Sequence, residues 1–141
     1  MTGFLLDTNV VSELRKGGRA DPNVQTWFQT VDADDLFLSV LVLGEIRSGI
    51  DRIHASDPNQ ARALELWLKG LYTAHADRIL PVTPAIADRW GRLSAFNPRS
   101  VVDCLMAATA LELDLTLVTR NARDVSRTGV RLLNPFAPAR K

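Results

Sequence analysis

The sequence predicts an α/β fold: a mainly parallel sheet of about five strands, covered by helices on both faces to give three layers. Three observations carry this expectation. Short apolar runs alternate with longer segments of helical periodicity along the chain. Helix-start signals open those longer segments, as at Asp21-Pro22, Asp57-Pro58 and Thr83-Pro84. The 141 residues, 46% hydrophobic and 23% charged, have the length and composition of one compact globular domain.

Phe4-Leu5-Leu6 reads as a short buried strand that ends in Asp7. Asp21-Pro22 opens a helix through Trp27 and Phe28, and Asp32-Ala33-Asp34-Asp35 is a polar break. Leu36-Phe37-Leu38 is a second strand, after which Ser39 caps a helix reaching about Ile53. Asp57-Pro58 starts a long helix to about His75. Ile79-Leu80-Pro81-Val82 is a third strand, placed at an edge because Pro81 has no N–H for a ladder. Thr83-Pro84 opens a helix through Trp90 and Leu93, which Asn97-Pro98 breaks, and Ser100 starts another from Val101 to Leu113. Leu115 to Val118 and Val130 to Leu133 are the fourth and fifth strands, the last stopped by Asn134-Pro135. Parallel sheets of this kind bind ligands beyond the carboxyl ends of their strands, so function is expected there.

Composition excludes several classes. The apolar content is too high for a disordered chain. A single cysteine, Cys104, excludes a disulfide scaffold and reads as a buried thiol. The start, Met1 to Asp7, lacks the pattern of a signal peptide, and no window approaches the ~20 apolar residues of a membrane span. A cytoplasmic protein is expected. The net charge of +1 hides a split: residues 1–77 carry 7 basic and 11 acidic side chains, residues 78–141 carry 10 and 5. Of the 17 basic residues 14 are Arg, a bias that fits either codon usage or phosphate recognition by the planar guanidinium.

Four carboxylates fall where chemistry is expected. Asp7 ends the first strand, where it also suits the cap of the next helix. Glu45 lies within the arc of Leu41, Val42 and Ile46, on the burying side of its helix, where a charge needs compensation by a salt bridge to a residue such as Arg52 or by a cation. Asp103 follows Ser100 at capping-box spacing and opens a helix at the sheet's carboxyl end. Asp124 follows the fourth strand, with Asn121 at capping spacing before it. Each has a local structural explanation by itself. Together they would repel unless a hard cation joined them. Oxygen-only ligation favours Mg²⁺ or Mn²⁺ over Zn²⁺. His54 and His75 are isolated and read as surface or packing residues.

These residues carry a resemblance to the PIN domain, and within it to the VapC-like toxins of bacterial toxin–antitoxin pairs. The matching pieces are Leu5 to Glu13, Ser39 through Glu45 with Gly49, Asp103 with Ala107-Ala108-Thr109-Ala110, Leu117-Val118-Thr119-Arg120-Asn121 with Asp124, and Leu133-Asn134-Pro135-Phe136. They span residues 4–136 in the family order, so the whole of 1–141 is expected to be a single PIN-like domain. Val101-Val102 stand where small residues are common in the family, and Val125 where an aromatic is frequent.

The resemblance implies a Mg²⁺- or Mn²⁺-dependent endoribonuclease with Asp7, Glu45, Asp103 and Asp124 as its catalytic and metal-holding acids. Thr8, Asn9, Thr119 and Asn121 take supporting polar roles, and Arg99, Arg120 and Arg123 are candidates to grip RNA phosphates. Water attack would leave a 5′-phosphate and a 3′-hydroxyl. A cognate antitoxin and a homodimer are the implied partners, with Val10, Val11 and Leu14 as candidate interface residues. Counting the four acids as metal-compensated leaves a formal +5, a modestly basic surface suited to a polyanion. Three other readings compete. A metal-dependent phosphatase of the haloacid-dehalogenase type needs an acid where Asn9 stands and a Lys that the Arg-rich downstream segment lacks. A non-catalytic RNA- or partner-binding module has no need of all four acids. A DNA-directed nuclease is harder to separate, because nothing in the sequence reads a 2′-hydroxyl.

Overall fold

A computed structural model describes residues 3–96 and 100–138. The strands are β1 (Phe4–Leu6), β2 (Leu36–Ser39), β3 (Ile79–Leu80), β4 (Thr116–Val118) and β5 (Leu132–Leu133), and they form one sheet in the order β3-β2-β1-β4-β5. Every pairing is parallel: Leu5 faces Phe37 and Leu117, Leu38 faces Ile79, and Leu117 faces Leu132. The helices are α1 (Thr8–Leu14), α2 (Pro22–Gln29), α3 (Val40–His54), α4 (Pro58–Ala74), α5 (Pro84–Phe96) and α6 (Val101–Leu113).

The three layers follow from chain handedness. The path from β1 through β2 to β3 moves one way across the sheet, so its right-handed crossovers put α1 to α4 on one face. The path from β3 to β4 moves back, which puts α5 and α6 on the other. The packing agrees: α1 contacts α2 and α3, α3 packs along α4, and α5 packs along α6. The middle strands are buried on both faces, with Leu5, Leu38, Leu117 and Val118 at most 2% exposed. Helix α6 approaches closely because its inner face is small: Ala107, Ala108 and Ala110 are fully buried.

The start signals act through side-chain caps. Asp21 accepts from the N–H groups of Asn23 and Val24, Asp57 from Gln60 and Ser39 from Leu41. The third strand stops at Leu80, short of the expected Val82, because Pro81 ends the ladder, and it does lie at the edge. The fifth starts at Leu132 rather than Val130, since Gly129 turns the chain at φ +83° just before it. The polar break is a 3₁₀ turn, Ala33–Asp35, which Asp32 caps at the N–H of Asp34. The break expected at Asn97-Pro98 lies outside the described residues.

Two expectations about surfaces need correction. Val10 and Val11 are not exposed: they are 0% and 4% accessible, because α1 lies with that face on the sheet. The exposed apolar surface near these early helices belongs to Phe28, with Leu14 and Trp67 half-buried around a cavity of about 210 Å³. Glu45 is exposed rather than on the burying side, because the buried arc of α3 is Val42, Leu43, Ile46 and Ile50 and Glu45 stands at its margin. Among the described residues, no helix is long and apolar enough to cross a membrane.

Candidate active site

The strand order reverses between β1 and β4, and the crevice of such a sheet lies beyond the carboxyl ends of those two strands. Asp7 leaves β1 and Thr119 leaves β4 at that point. The Asp7 N–H still bonds the Val118 carbonyl at 2.9 Å, so the two strand ends are held in register up to the crevice.

Asp7 is 8% exposed, and the surrounding groups satisfy its carboxylate. Oδ1 accepts from the Thr8 N–H at 2.8 Å, so the residue does cap α1. Oδ2 accepts from the Thr119 hydroxyl at 2.7 Å and, more weakly, from Asn9 Nδ2 at 3.4 Å. Thr119 is itself held: its Oγ1 accepts from the Asn121 N–H at 3.0 Å. Asn9 closes the ring, since its Oδ1 accepts from the Arg120 N–H at 3.1 Å. The loops after β1 and β4 are thereby tied through side chains that could otherwise rotate.

Glu45 comes from the other flank. Its Oε1 accepts the Thr8 hydroxyl at 2.5 Å, a partner different from the Arg52 that the sequence suggested. Thr8 and Asp7 are adjacent, so this bond connects α3 to the Asp7 loop. Asp103 enters from the start of α6, where Ser100 Oγ caps its N–H at 3.2 Å. Asp124 lies in a 3₁₀ helix, Ala122–Thr128, and Asn121 precedes it without capping it through its side chain.

Electrostatics relates Asp103 to the other three acids. Burial pushes the Asp103 carboxyl above the usual carboxylate range, and the charges of Asp7, Asp124 and Glu45 push it the same way, while the Ser100 hydrogen bond opposes them. Asp103 thus feels all three other acids.

The acids offer oxygen donors only, which suits a hard divalent cation. Among the described residues, no three acidic, His or Cys side chains are gathered tightly enough to form a metal cage alone. Mg²⁺ does not require one, because it keeps several waters and binds through one or two carboxylates. The donor set therefore fits an ion held partly through water.

Arg123 is exposed on the 3₁₀ helix beside Asp124. Arg99 lies outside the described residues. His54 is exposed, and His75 Nδ1 lies 3.2 Å from the Leu71 carbonyl of its own helix. Cys104 is fully buried. Two relationships were not read from the sequence. Arg120 lies over the Phe136 ring, 4.2 Å from its centroid. Glu13 accepts from Lys16 and from the Asp21 N–H, which ties α1 to the start of α2; these bonds hold its carboxyl below the usual range. The motif Leu133-Asn134-Pro135-Phe136 was visible as a match, but nothing local shows that its ring meets a residue near the acids.

Residues 4–130 match the profile of the PIN domain. Toxin FitB of Neisseria gonorrhoeae is 27% identical over 140 residues, which is 94% of this chain and 98% of that protein. VapC ribonuclease Y4jK of Sinorhizobium fredii is 29% identical over 142 residues, 96% and 99% of the two chains. The crystal structure of FitAcB from Neisseria gonorrhoeae contains a chain that superposes with a TM-score of 0.84 at 26% identity, covering 94% of this chain and 98% of that one.

Proposed function

The chain belongs to the PIN-domain family, and from that premise we propose that it is a Mg²⁺- or Mn²⁺-dependent endoribonuclease serving as the toxin of a toxin–antitoxin pair. The observation that carries the chemistry is the Asp7 carboxylate, fixed by Thr119 and the Thr8 N–H where the sheet order reverses, at the end of the sheet from which Asp103 and Asp124 also come. The ribonuclease and toxin names of relatives aligned over nearly the full chain support the substrate and the biological role.

Asp7 and Asp103, with Asp124, would hold one or two divalent cations, which Glu45 would border. When bound, the cation supplies Lewis-acid activation of water and neutralises charge on the scissile phosphate. Thr119, Asn9 and the Thr8 N–H fix the Asp7 carboxylate in one orientation, so little reorganisation remains when substrate arrives. With Oε1 engaged by Thr8, Glu45 has Oε2 to accept a hydrogen bond from the attacking water and take its proton. The water oxygen bonds to phosphorus in line with the leaving 3′-oxygen. The P–O3′ bond breaks and the 3′-oxygen takes up a proton, giving a 5′-phosphate and a 3′-hydroxyl. Arg123, beside Asp124, is placed to meet a flanking phosphate.

A cognate antitoxin and a second copy of the chain complete the assignment, and the protein works in the cytoplasm, where its RNA substrates are. The direct test is cleavage of RNA by purified protein with Mg²⁺ or Mn²⁺, beside an Asp7→Asn control and an EDTA control. Cleavage by the wild type alone, and only with metal, is expected. Equal cleavage by wild type and Asp7→Asn overturns the assignment. Co-purification with a small protein encoded next to the gene tests the pairing, and light scattering above micromolar concentration tests the dimer.

A further inference from the structure

Arg120 is a candidate to grip an RNA phosphate, and its placement suits a further task. The guanidinium carbon lies 4.2 Å from the Phe136 ring centroid, against 5.7 Å for the other such pair, Arg15 over Trp67. Both halves of the stack are fixed at the backbone. The Arg120 N–H donates to Asn9 Oδ1, which also ties the residue to the Asp7 loop. The Phe136 N–H donates to Asn134 Oδ1 at 3.0 Å, and its carbonyl accepts from Asn23 Nδ2 at 2.9 Å. Arg120 is exposed, Phe136 is half-buried, and among the described residues no ion pair engages Arg120.

We propose that Arg120 and Phe136 form a stacking platform for one unpaired nucleobase of the RNA, beside the phosphodiester that the acids address. The inference rests on the nuclease reading and adds to it the residue pair by which the site would hold one base of its substrate. A guanidinium backed by a ring presents its second face, and planar guanidinium groups are stacking surfaces for unpaired bases. A base within a duplex already has neighbours on both faces and cannot use such a surface. Pre-ordering of the stack reduces what must be immobilised on binding. Arg120 follows Thr119, which bonds Asp7, and its N–H is tied to Asn9, so the segment that carries the platform leaves the sheet at the same end as Asp7.

The experiment uses short single-stranded oligoribonucleotides in which 2-aminopurine, or an abasic site, is moved one position at a time. Asp7→Asn protein with Mg²⁺ prevents turnover, and wild type in EDTA provides a second binding measurement. One position near the cleavage site should show quenched 2-aminopurine fluorescence. An abasic site there should weaken binding about five-fold or more. Adding Arg120→Lys, which keeps the charge and loses the plane, should abolish the quench and the position dependence, as should Phe136→Leu. A duplex of the same sequence should bind parent and variants alike. If Phe136→Leu does not fold, Arg120→Lys alone decides. Unchanged position dependence in Arg120→Lys overturns the platform while the nuclease reading stands. Failure of the parent to bind any of the RNAs overturns both.

Discussion

The Thr119 hydroxyl donates to Asp7 Oδ2 at 2.7 Å, joining the ends of two adjacent parallel strands across the point where the sheet order reverses. Both residues are buried, at 1% and 8% exposure, so this bond sits in low-dielectric surroundings where a lost partner is costly. Thr119→Val keeps the shape and removes the donor. It should destabilise the fold by about 1–3 kcal/mol and lower kcat more than it raises KM. Thr119→Ser should restore most of both. Chemical denaturation and steady-state RNA cleavage provide the measurements.

Asp103 is proposed to trade stability for function. Its raised carboxyl pKa means that the folded state favours the protonated form, so the cost is absent below the ordinary carboxylate range and grows as pH rises through the folded-state value. In EDTA at about pH 7, Asp103→Asn should therefore melt above wild type, with the difference vanishing toward about pH 4. Mg²⁺ should raise the wild-type Tm more than the variant's, and RNA cleavage should be lost in the variant. Thermal melts across pH, with and without metal, check each part.

Thr8 is proposed to act through Glu45, whose Oε1 accepts its hydroxyl, with little contribution to the core. Thr8→Val removes the hydroxyl that Glu45 Oε1 accepts, at a site open to solvent. The expected outcome is a kcat reduced about ten-fold or more with stability within about 0.5 kcal/mol of wild type. Parallel kinetics and denaturant melts distinguish this from a structural role.

The small inner face of α6 sets how near Asp103 stands to the sheet. Ala107→Leu forces extra volume into a fully buried position and should cost about 1–3 kcal/mol. RNA cleavage should fall with it, since the helix start carrying Asp103 moves outward. Ala107→Gly leaves the space open, so it should keep more activity than Leu at comparable loss of Tm.

What the sequence makes legible follows from how local each signal is. Alternating apolar runs and caps such as Asp21-Pro22 are set by neighbours in sequence, and these elements lie where expected. Asp7 is likewise readable, because the strand end fixes where it emerges, whereas Thr8, Asn9, Thr119 and Asn121 came from the family resemblance, and the bonds from Thr119 to Asp7 and from Arg120 to Asn9 join loops distant in sequence. Glu45 was misplaced on the burying side because a helical wheel marks an arc without showing where the neighbouring elements end. The same limit applies to Val10 and Val11: an apolar pair on a short helix does not show whether the sheet or a partner covers it. The Arg120–Phe136 stack joins residues 16 positions apart through a turn and a two-residue strand, a relation that no periodicity encodes.

The central proposal is that Asp7, Asp103 and Asp124, bordered by Glu45, would hold a divalent cation. Calorimetric titration of Mn²⁺ into wild type and Asp103→Asn at neutral pH tests it most directly. Saturable binding to the wild type, weakened about ten-fold or more in the variant, is the expected result. Absence of saturable binding to the wild type, or equal affinity in the two proteins, contradicts that site.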